Sequence, residues 1–449
     1  MTDPLRVPGR AAPRRIAPAQ RSGADRRGKP GATPRRSPLV AYVVSRFPRL
    51  SETFVLFEIL AVEQAGVPVE VYPLQRERTQ TIHPEAQRLV ERAHYAPLLS
   101  LAILRSQLHY LRRRPRTYLR TLFDLVRWNL GSARYLGGAL AFFPKAVHFA
   151  RRMGLDGVSH VHAHFASHPA AVAFVIHRLE GIPYSFTAHG SDLHRDRHML
   201  RQKVAEARFV VPISEFNRRV ILDECGDEHA WKLAVIHCGI DPEIFRPVPG
   251  RASEATGPLR LVCVGTLHEV KGQAVLIEAC RLLAERGIAL RCDLVGDGPD
   301  RDALLRQARA AGLEGRVRFL GALTRADVAT RLRDSDVAIV PSVPTRDGRR
   351  EGIPVALMEA AATGRPVVAS RLSGIPEAIE DGAQGLLVQP GDARGLADAI
   401  ATLAADPLLR ERLGAAARER MLREFDLATN ARLLAACFRR QAPTGTEAT

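Results

Sequence analysis

The sequence predicts an α/β protein of two doubly wound domains facing a cleft, and three observations carry that expectation. Short apolar runs rich in Val and Ile alternate with helix-like segments along most of the 449 residues. These runs are continuous rather than alternating, as in parallel strands covered by helices on both faces. They also fall into two series, separated by "DPEIFRPVPGRASEATGP" (241–258), a polar stretch rich in Pro and Gly that reads as a linker.

The first segment, 1–37, holds ten Lys/Arg against two Asp and almost no large apolar residue. It cannot bury enough surface to offset its ordering entropy and is expected to be a disordered basic tail. It has no apolar core of the kind a secretory signal carries. The first domain, 38–250, then offers strand-like runs at 39–44, 67–74, 158–165, 183–189, 209–214 and 233–239. A helical insertion, 83–152, interrupts it. Within that insertion Leu and aromatic residues recur at three- and four-residue spacing with Arg on the other face. Residues 101–152 hold eleven Lys/Arg against Asp124 alone. This segment suits an anionic membrane surface, and equally an ordinary helix with a solvated Arg face.

The second domain, 251–425, offers runs at 259–265, 290–296, 316–321, 336–342, 366–370 and 385–390, and 426–449 is expected to be a helix returning to the first domain, with a short tail. Of the net charge of +17, the tail carries +8 and the segment 101–152 carries +10, so the rest is −1 and the fold itself is near neutral. No base-reading module is recognisable, so no specific nucleic-acid partner is expected. No apolar run is long enough to span a membrane. The six cysteines lack metal-type spacing, and Cys263 and Cys292 fall in strand-like runs. The location expected is cytoplasmic, peripheral at the inner face of the membrane.

In such sheets ligands gather at the carboxyl ends of the strands. In "VGTLHEVKGQ" (264–273) Lys271 opens a predicted helix, where amides and dipole favour an anion. Only five of the 65 basic residues are lysines, so a compact point charge here stands out, and it suggests phosphate contact. In "EGIPVALMEAAATGRPVVAS" (351–370), Glu351 precedes a helix carrying Glu359 eight positions on, nearly on one helix face. Carboxylates accept hydrogen bonds from vicinal hydroxyls, and the Gly352 and Ile353 amides can hold a phosphate. His160, His162 and His164 alternate onto one strand face, with His168 beyond, an array a metal site uses. No carboxylate or cysteine accompanies them in the sequence, so no metal is expected, and His164 is assigned to the acceptor side. At the first strand's end, "SRFPRLSETFVLFEIL" (45–60) has no glycine. Pro48 stiffens that corner and Ser51 or Thr53 caps the next helix. Arg46, Arg49 and Glu52, with Ser51, are left to meet an acceptor.

The run 351–370 with "SGIPEAIEDGAQGLLVQPGD" after it resembles the signature of retaining glycosyltransferases of the GT-B fold, family four, the group one transferases. "VGTLHEVKG", "LVGDGPDRDAL", "VRFLG", "TAHGSDL" and "VVPISEFNRRVI" are similar to that family's other motifs, over roughly residues 39–425. "SRFPRLSETFV", "HVHAHFASH" and "PSVPTRDGRREGIP" resemble the colanic acid and exopolysaccharide subgroup. The resemblance implies two Rossmann-like domains and a nucleotide-diphosphate sugar donor rather than a cofactor. It makes Glu351 the residue that meets donor-sugar hydroxyls and Glu359 the ribose ligand. Lys271 would neutralise the diphosphate and His189 would contact the sugar near the reacting carbon. Gly265 and Thr266 fall at the donor loop, and Leu320 and Gly321 beside the base. Many members carry arginine where this chain has Thr266, which leaves Arg349 or Arg350 as substitutes, or as part of a solvated loop.

The activity so implied is metal-independent transfer, with retention, to a glycan or lipid-linked oligosaccharide acceptor in exopolysaccharide assembly. The residues expected to be catalytic are His189, Lys271 and Glu351. A phosphorylase or nucleotide-sugar epimerase of the same fold is the alternative, and a basic-tailed membrane or nucleic-acid binding module is the non-enzymatic one. A dehydrogenase fits poorly, because "GDGPDRD" comes late in its domain and lacks the third glycine.

Overall fold

The structure, a computed structural model, describes residues 37–49, 52–77, 83–97, 100–248 and 257–440. The expected tail, but for Ser37, lies outside these residues, as do Ser51 and much of the linker. Strands β1 (Val40–Phe47), β2 (Val69–Arg76), β3 (His160–His164), β4 (Tyr184–Ala188) and β5 (Phe209–Pro212) form one sheet in the order β2-β1-β3-β4-β5. Strands β6 (Leu259–Val264), β7 (Leu290–Val295), β8 (Val317–Gly321), β9 (Val337–Val340), β10 (Val367–Ser370) and β11 (Gly385–Val388) form a second, in the order β11-β10-β9-β6-β7-β8. Every pairing between these strands is parallel. The orders are the two common doubly wound ones, and each reverses direction at one point: between β1 and β3, and between β6 and β9.

The expected strand 233–239 does not form one. It makes a single bridge, Val210 to Leu233, although Ala234 and Ile236 donate to the carbonyls of Val210 and Pro212 at 2.9 and 3.2 Å. The reciprocal bond of a parallel ladder would come from residue 212, and Pro212 has no N–H. The helix after β1, α1 (Thr53–Gln64), starts without a side-chain cap, with Glu52 at the cap position and Thr53 already inside the helix.

The insertion contains α2 (Leu101–Arg113), α3 (Pro115–Asn129) and α4 (Ala133–Leu155). Here the expected division of faces is reversed in part. The buried positions of α2 are Ile103, Ser106 and Tyr110. Leu101, Leu104, Leu108 and Leu111 are exposed, at 72%, 54%, 41% and 38%, on the same side as Arg105 and Arg112. Leu119 and Phe123 of α3 are exposed too. Leucine spacing alone does not say which stripe faces the core, and here the hydroxyl-bearing stripe does. Ser106 bonds the Ala102 carbonyl, and Tyr110 bonds Glu180.

The chain passes between the sheets twice, at one place. The Ile240 amide donates to Phe425 O at 2.8 Å, and the Leu427 amide donates to Ile240 O at 3.0 Å. Beyond Leu427, α5 (Leu427–Arg440) lies on α1, and its Ala431, Leu434, Ala435 and Phe438 join the core formed by β1, β2 and α1. Nearby, His237 stacks on Phe425, with ring centres 4.6 Å apart. The crossing is close enough that a Cβ on Gly239 would sit 2.3 Å from Leu427 Cα. Gly239→Val should therefore displace this crossing and destabilise the protein by about 2–3 kcal/mol, read as a lower midpoint of thermal or urea unfolding.

Candidate active site

At the switch point of the second sheet, β6 is followed by Gly265 and then by a short 3-10 turn, Glu269–Lys271. Lys271 therefore lies in a turn before the helix Gln273–Glu285 rather than opening it. Gly272 separates the two with φ +69°, and a Cβ there would meet Pro341 O at 1.8 Å, so only glycine lets this turn touch the loop after β9. The Val343 amide donates to Val270 O across the same contact, at 3.0 Å.

Glu351 also lies outside its helix, which runs Val355–Ala362 behind the cap residue Pro354. The two glutamates are thus not on one helix face, because the chain bends at Gly352 and Ile353 and is extended at Pro354 before the helix begins. Glu351 instead turns to the β6 side: one carboxylate oxygen pairs with Lys271 Nζ, and the other accepts from Ser342 Oγ at 2.5 Å. The Lys271 stem runs past Gly265, within 3.3 Å of where a Cβ would be. Thr266 is exposed, and its carbonyl accepts from Gln273 Nε2 at 3.0 Å. Arg349 reaches His268 of the same turn, Nη1 to Nε2 3.3 Å, and pairs with Asp347 at 3.1 Å. It adds charge beside the loop where Thr266 supplies none.

Glu359 has another neighbourhood. Burial pushes its carboxyl up to about 7, against the pull of Arg325. Arg325 lies over the Phe57 ring of α1 at 3.8 Å and over Phe245 at 5.2 Å, near the interdomain crossing. Leu320 and Gly321 stand at the carboxyl end of edge strand β8, where Gly321 O accepts from the Gly296 amide at 2.8 Å.

From the first domain, β4 delivers His189 to the cleft. The corner is built on buried Asp192, whose carboxylate accepts from the amides of Ala166, His189 and Gly190 at 2.8, 3.1 and 2.7 Å. A Cβ on Gly352 would stand 2.3 Å from His189 O, so the corner and the Glu351 loop touch backbone to backbone. Beside them Glu377 accepts from the amides of Glu215 and Phe216 at 2.7 and 2.6 Å. It thus occupies the N-terminus of the helix Glu215–Cys225, where backbone donors lack partners and the dipole favours an anion.

His164 does not line an acceptor surface. It is fully buried, with Nε2 3.0 Å from Glu58 Oε1 and Nδ1 3.0 Å from His189 Nε2. Glu58 is also the carboxylate absent from the sequence motif, since α1 lays it against the histidine strand. Ligand atoms of Glu58, His162 and His164 lie within 4.8 Å of one another. His162 already uses both ring nitrogens, on Ser185 at 2.8 Å and Thr187 at 3.0 Å. At the β1–α1 corner Arg49 pairs with Glu52 at 2.6 Å, and Arg46 reaches Gln75 and Glu77 at 3.0 and 3.8 Å. Glu52's carboxyl is raised by burial, with Arg49 opposing.

Glu58, Asp192, Arg325, Ser342 and Glu377 are the residues sequence reasoning missed. All but Arg325 sat inside a quoted motif, but the partners of Glu58, Ser342 and Glu377 lie 9 to 162 residues away, and Asp192 takes backbone amides that composition does not mark.

Residues 51–244 match the sequence profile described as Glycosyltransferase Family 4, and residues 258–406 that of Glycosyl transferases group 1. A protein of Escherichia coli K12 named for colanic acid biosynthesis, the glycosyltransferase WcaL, is 34% identical over 376 residues, or 81% of this chain and 89% of its own length. This chain belongs to that glycosyltransferase family. The amylovoran biosynthesis glycosyltransferase AmsK of Erwinia amylovora is 39% identical over 218 residues, 46% of the transferase described here and 52% of AmsK. Among solved structures, Anabaena Alr3699/HepE in complex with UDP superposes with a TM-score of 0.68 at 19% identity, over 90% of this transferase and all of that chain. Sucrose-phosphate synthase from Thermosynechococcus elongatus gives 0.66 at 20% identity, over 90% and 98%. Both share the GT-B arrangement of two Rossmann-like domains.

Glu359 gives the transferase a pH dependence of defined sign. Its raised pKa means that the folded protein holds a proton that the unfolded chain releases above about 4.5. The stability this provides is complete below pH 4.5 and lost as pH rises through 7. Glu359→Gln removes that loss, so its melting temperature should exceed wild type by about 2–4 °C at pH 8 and match it near pH 4.5 in scanning calorimetry.

Proposed function

We propose that this glycosyltransferase moves a sugar from a nucleotide-diphosphate donor to a glycan acceptor in exopolysaccharide assembly, with retention and without a metal ion. The observation that carries the reading is the Lys271–Glu351–Ser342 cluster at the switch point of the second sheet, against the His189 corner of the first. As the glycosidic bond breaks, negative charge grows on the diphosphate, and a fixed cation with preorganised amides stabilises that charge. Lys271 supplies the cation and the Gly352 and Ile353 amides supply donors, in place of a metal that would need paired aspartates. Glu351, oriented by Ser342, accepts from donor-sugar hydroxyls, and Lys271 passes from Glu351 to the diphosphate when the donor enters. Glu359 takes the ribose, and Leu320 and Gly321 border the base. Arg46, Arg49 and Glu52 shape the acceptor side, and His189 contacts the sugar. The names of WcaL and AmsK point to exopolysaccharide, and the UDP held by HepE to a uridine donor.

The acceptor is read as lipid-linked and presented at a membrane. Among the described residues no helix is long and apolar enough to cross one. The exposed leucine stripe of α2, with Leu119 and Phe123 of α3 and the arginines beside them, suits a peripheral site on anionic lipid.

Lys271→Ala and Glu351→Gln should each lower kcat by about 100-fold or more in transfer assays with the best donor from a nucleotide-sugar panel. Rates near wild type in both would remove the assignment. Replacing Leu104, Leu108 and Leu111 by Ser should reduce pelleting with phosphatidylglycerol vesicles several-fold and leave turnover on a soluble acceptor unchanged. Equal pelleting would show that this face meets no membrane.

A further inference from the structure

Behind His189 lies a chain of buried and half-buried polar groups that the proposed chemistry does not use. Tyr42 of β1 donates its hydroxyl to Glu58 Oε1 at 3.2 Å. The same oxygen stands 3.0 Å from His164 Nε2, His164 Nδ1 stands 3.0 Å from His189 Nε2, and His189 Nδ1 stands 3.8 Å from Cys238 Sγ. Phe54 and Phe165 flank the His189 ring, with centres at 4.7 and 4.8 Å. Three elements, β1, α1 and β3, each place a polar side chain in this line, beside the apolar core of β1, β2 and α1.

The direction of every proton in the chain follows from its first member. An oxygen that receives both Tyr42 and His164 behaves as an acceptor-only carboxylate, so His164 carries its proton on Nε2. His164 Nδ1 then has only a lone pair and must receive the proton of His189 Nε2. His189 Nδ1 is left as the free acceptor, covered only by a weak thiol donor.

We infer that Glu58 and His164 are positioning residues for glycosyl transfer, holding His189 neutral in the Nε2–H tautomer so that Nδ1 accepts a hydrogen bond from a donor-sugar hydroxyl. This rests on the reading of His189 as the residue that contacts the sugar. Arrangements of this kind, in which a carboxylate fixes the tautomer of a histidine that works elsewhere, tune a site through its second layer. The charged and titratable groups around the ring are Tyr42 of β1, Glu52 at the cap of α1, Glu58 of α1, His162 and His164 of β3, Asp192 below the corner, and Cys238 beside Nδ1. Burial keeps the His189 imidazole neutral, its pKa lowered to about 4. A neutral ring is the only form that offers Nδ1 as an acceptor.

The test begins with nitrogen-15 histidine spectra of the full-length protein at pH 7.5, with His189 assigned by its loss in His189→Asn. The expected result is a single Nε2–H tautomer at His189, which becomes mixed or reversed in Glu58→Gln. An Nδ1–H tautomer in wild type, or an unchanged spectrum in Glu58→Gln, overturns the inference, and the wild-type arm needs no variant to fold. Stoichiometric zinc in the purified protein would make these residues metal ligands and also overturn it. In transfer assays with the best panel donor, Glu58→Gln should lower kcat about 10- to 100-fold with donor KM within about threefold. Tyr42→Phe, which leaves the histidine bonds in place, should cost less. A kcat within twofold of wild type in Glu58→Gln overturns the positioning role. Full turnover in His189→Asn, with the relay intact in the spectra, would instead overturn the reading of His189 itself.

Discussion

The double crossing at Ile240 and at Phe425–Leu427 is the constraint on which the rest of the molecule depends. A parallel sheet gathers the carboxyl ends of its strands on one edge, and loops can carry chemistry only there. Two such edges make a site only if something sets them face to face. Here two backbone hydrogen bonds, a stacked His237 and Phe425, and α5 anchored on α1 do so. The C-terminal helix is therefore part of the first domain's core, although the second domain precedes it in sequence.

Given that geometry, the division of labour between the edges follows from their turns. The second sheet offers a glycine-dependent turn with a lysine and a loop glutamate, a pair matched in charge that holds its own shape. The first sheet offers a corner whose backbone donors are consumed by Asp192, with a histidine fixed from behind. One edge thus presents a paired lysine and glutamate, the other a corner held by a buried carboxylate.

Much of this was legible in the sequence, for reasons visible in particular residues. The runs marked eleven strands because most are rich in Val, Ile and Leu and are set apart by helix-like segments. The run 233–239 failed because a missing N–H on a neighbouring strand does not show in its own composition. The positions of Lys271, Glu351 and His189 were readable because each sits in a local motif. Their settings were not, since Lys271 lies in a turn before the helix it was expected to open, and the bend at Gly352 and Ile353 takes Glu351 off the face of Glu359. Glu58 was invisible for a different reason. On α1 it reads as one more polar helix position, and only the packing of α1 over β3 gives it His164 as a partner. The leucines of α2 show the same limit, because spacing finds a stripe without saying whether protein or solvent faces it.

Glu377 has a meaning beyond the hydrogen bonds it accepts. It is a carboxylate lent by one domain to finish a helix of the other, the helix Glu215–Cys225. A surface ion pair can be exchanged for water at little cost, but a helix end deprived of its acceptor loses part of its own stability. The contact between the domains at Glu377 and the stability of that helix are therefore linked. Whatever favours that contact also firms a helix that follows β5 of the first sheet, so domain docking and local folding share a single free energy.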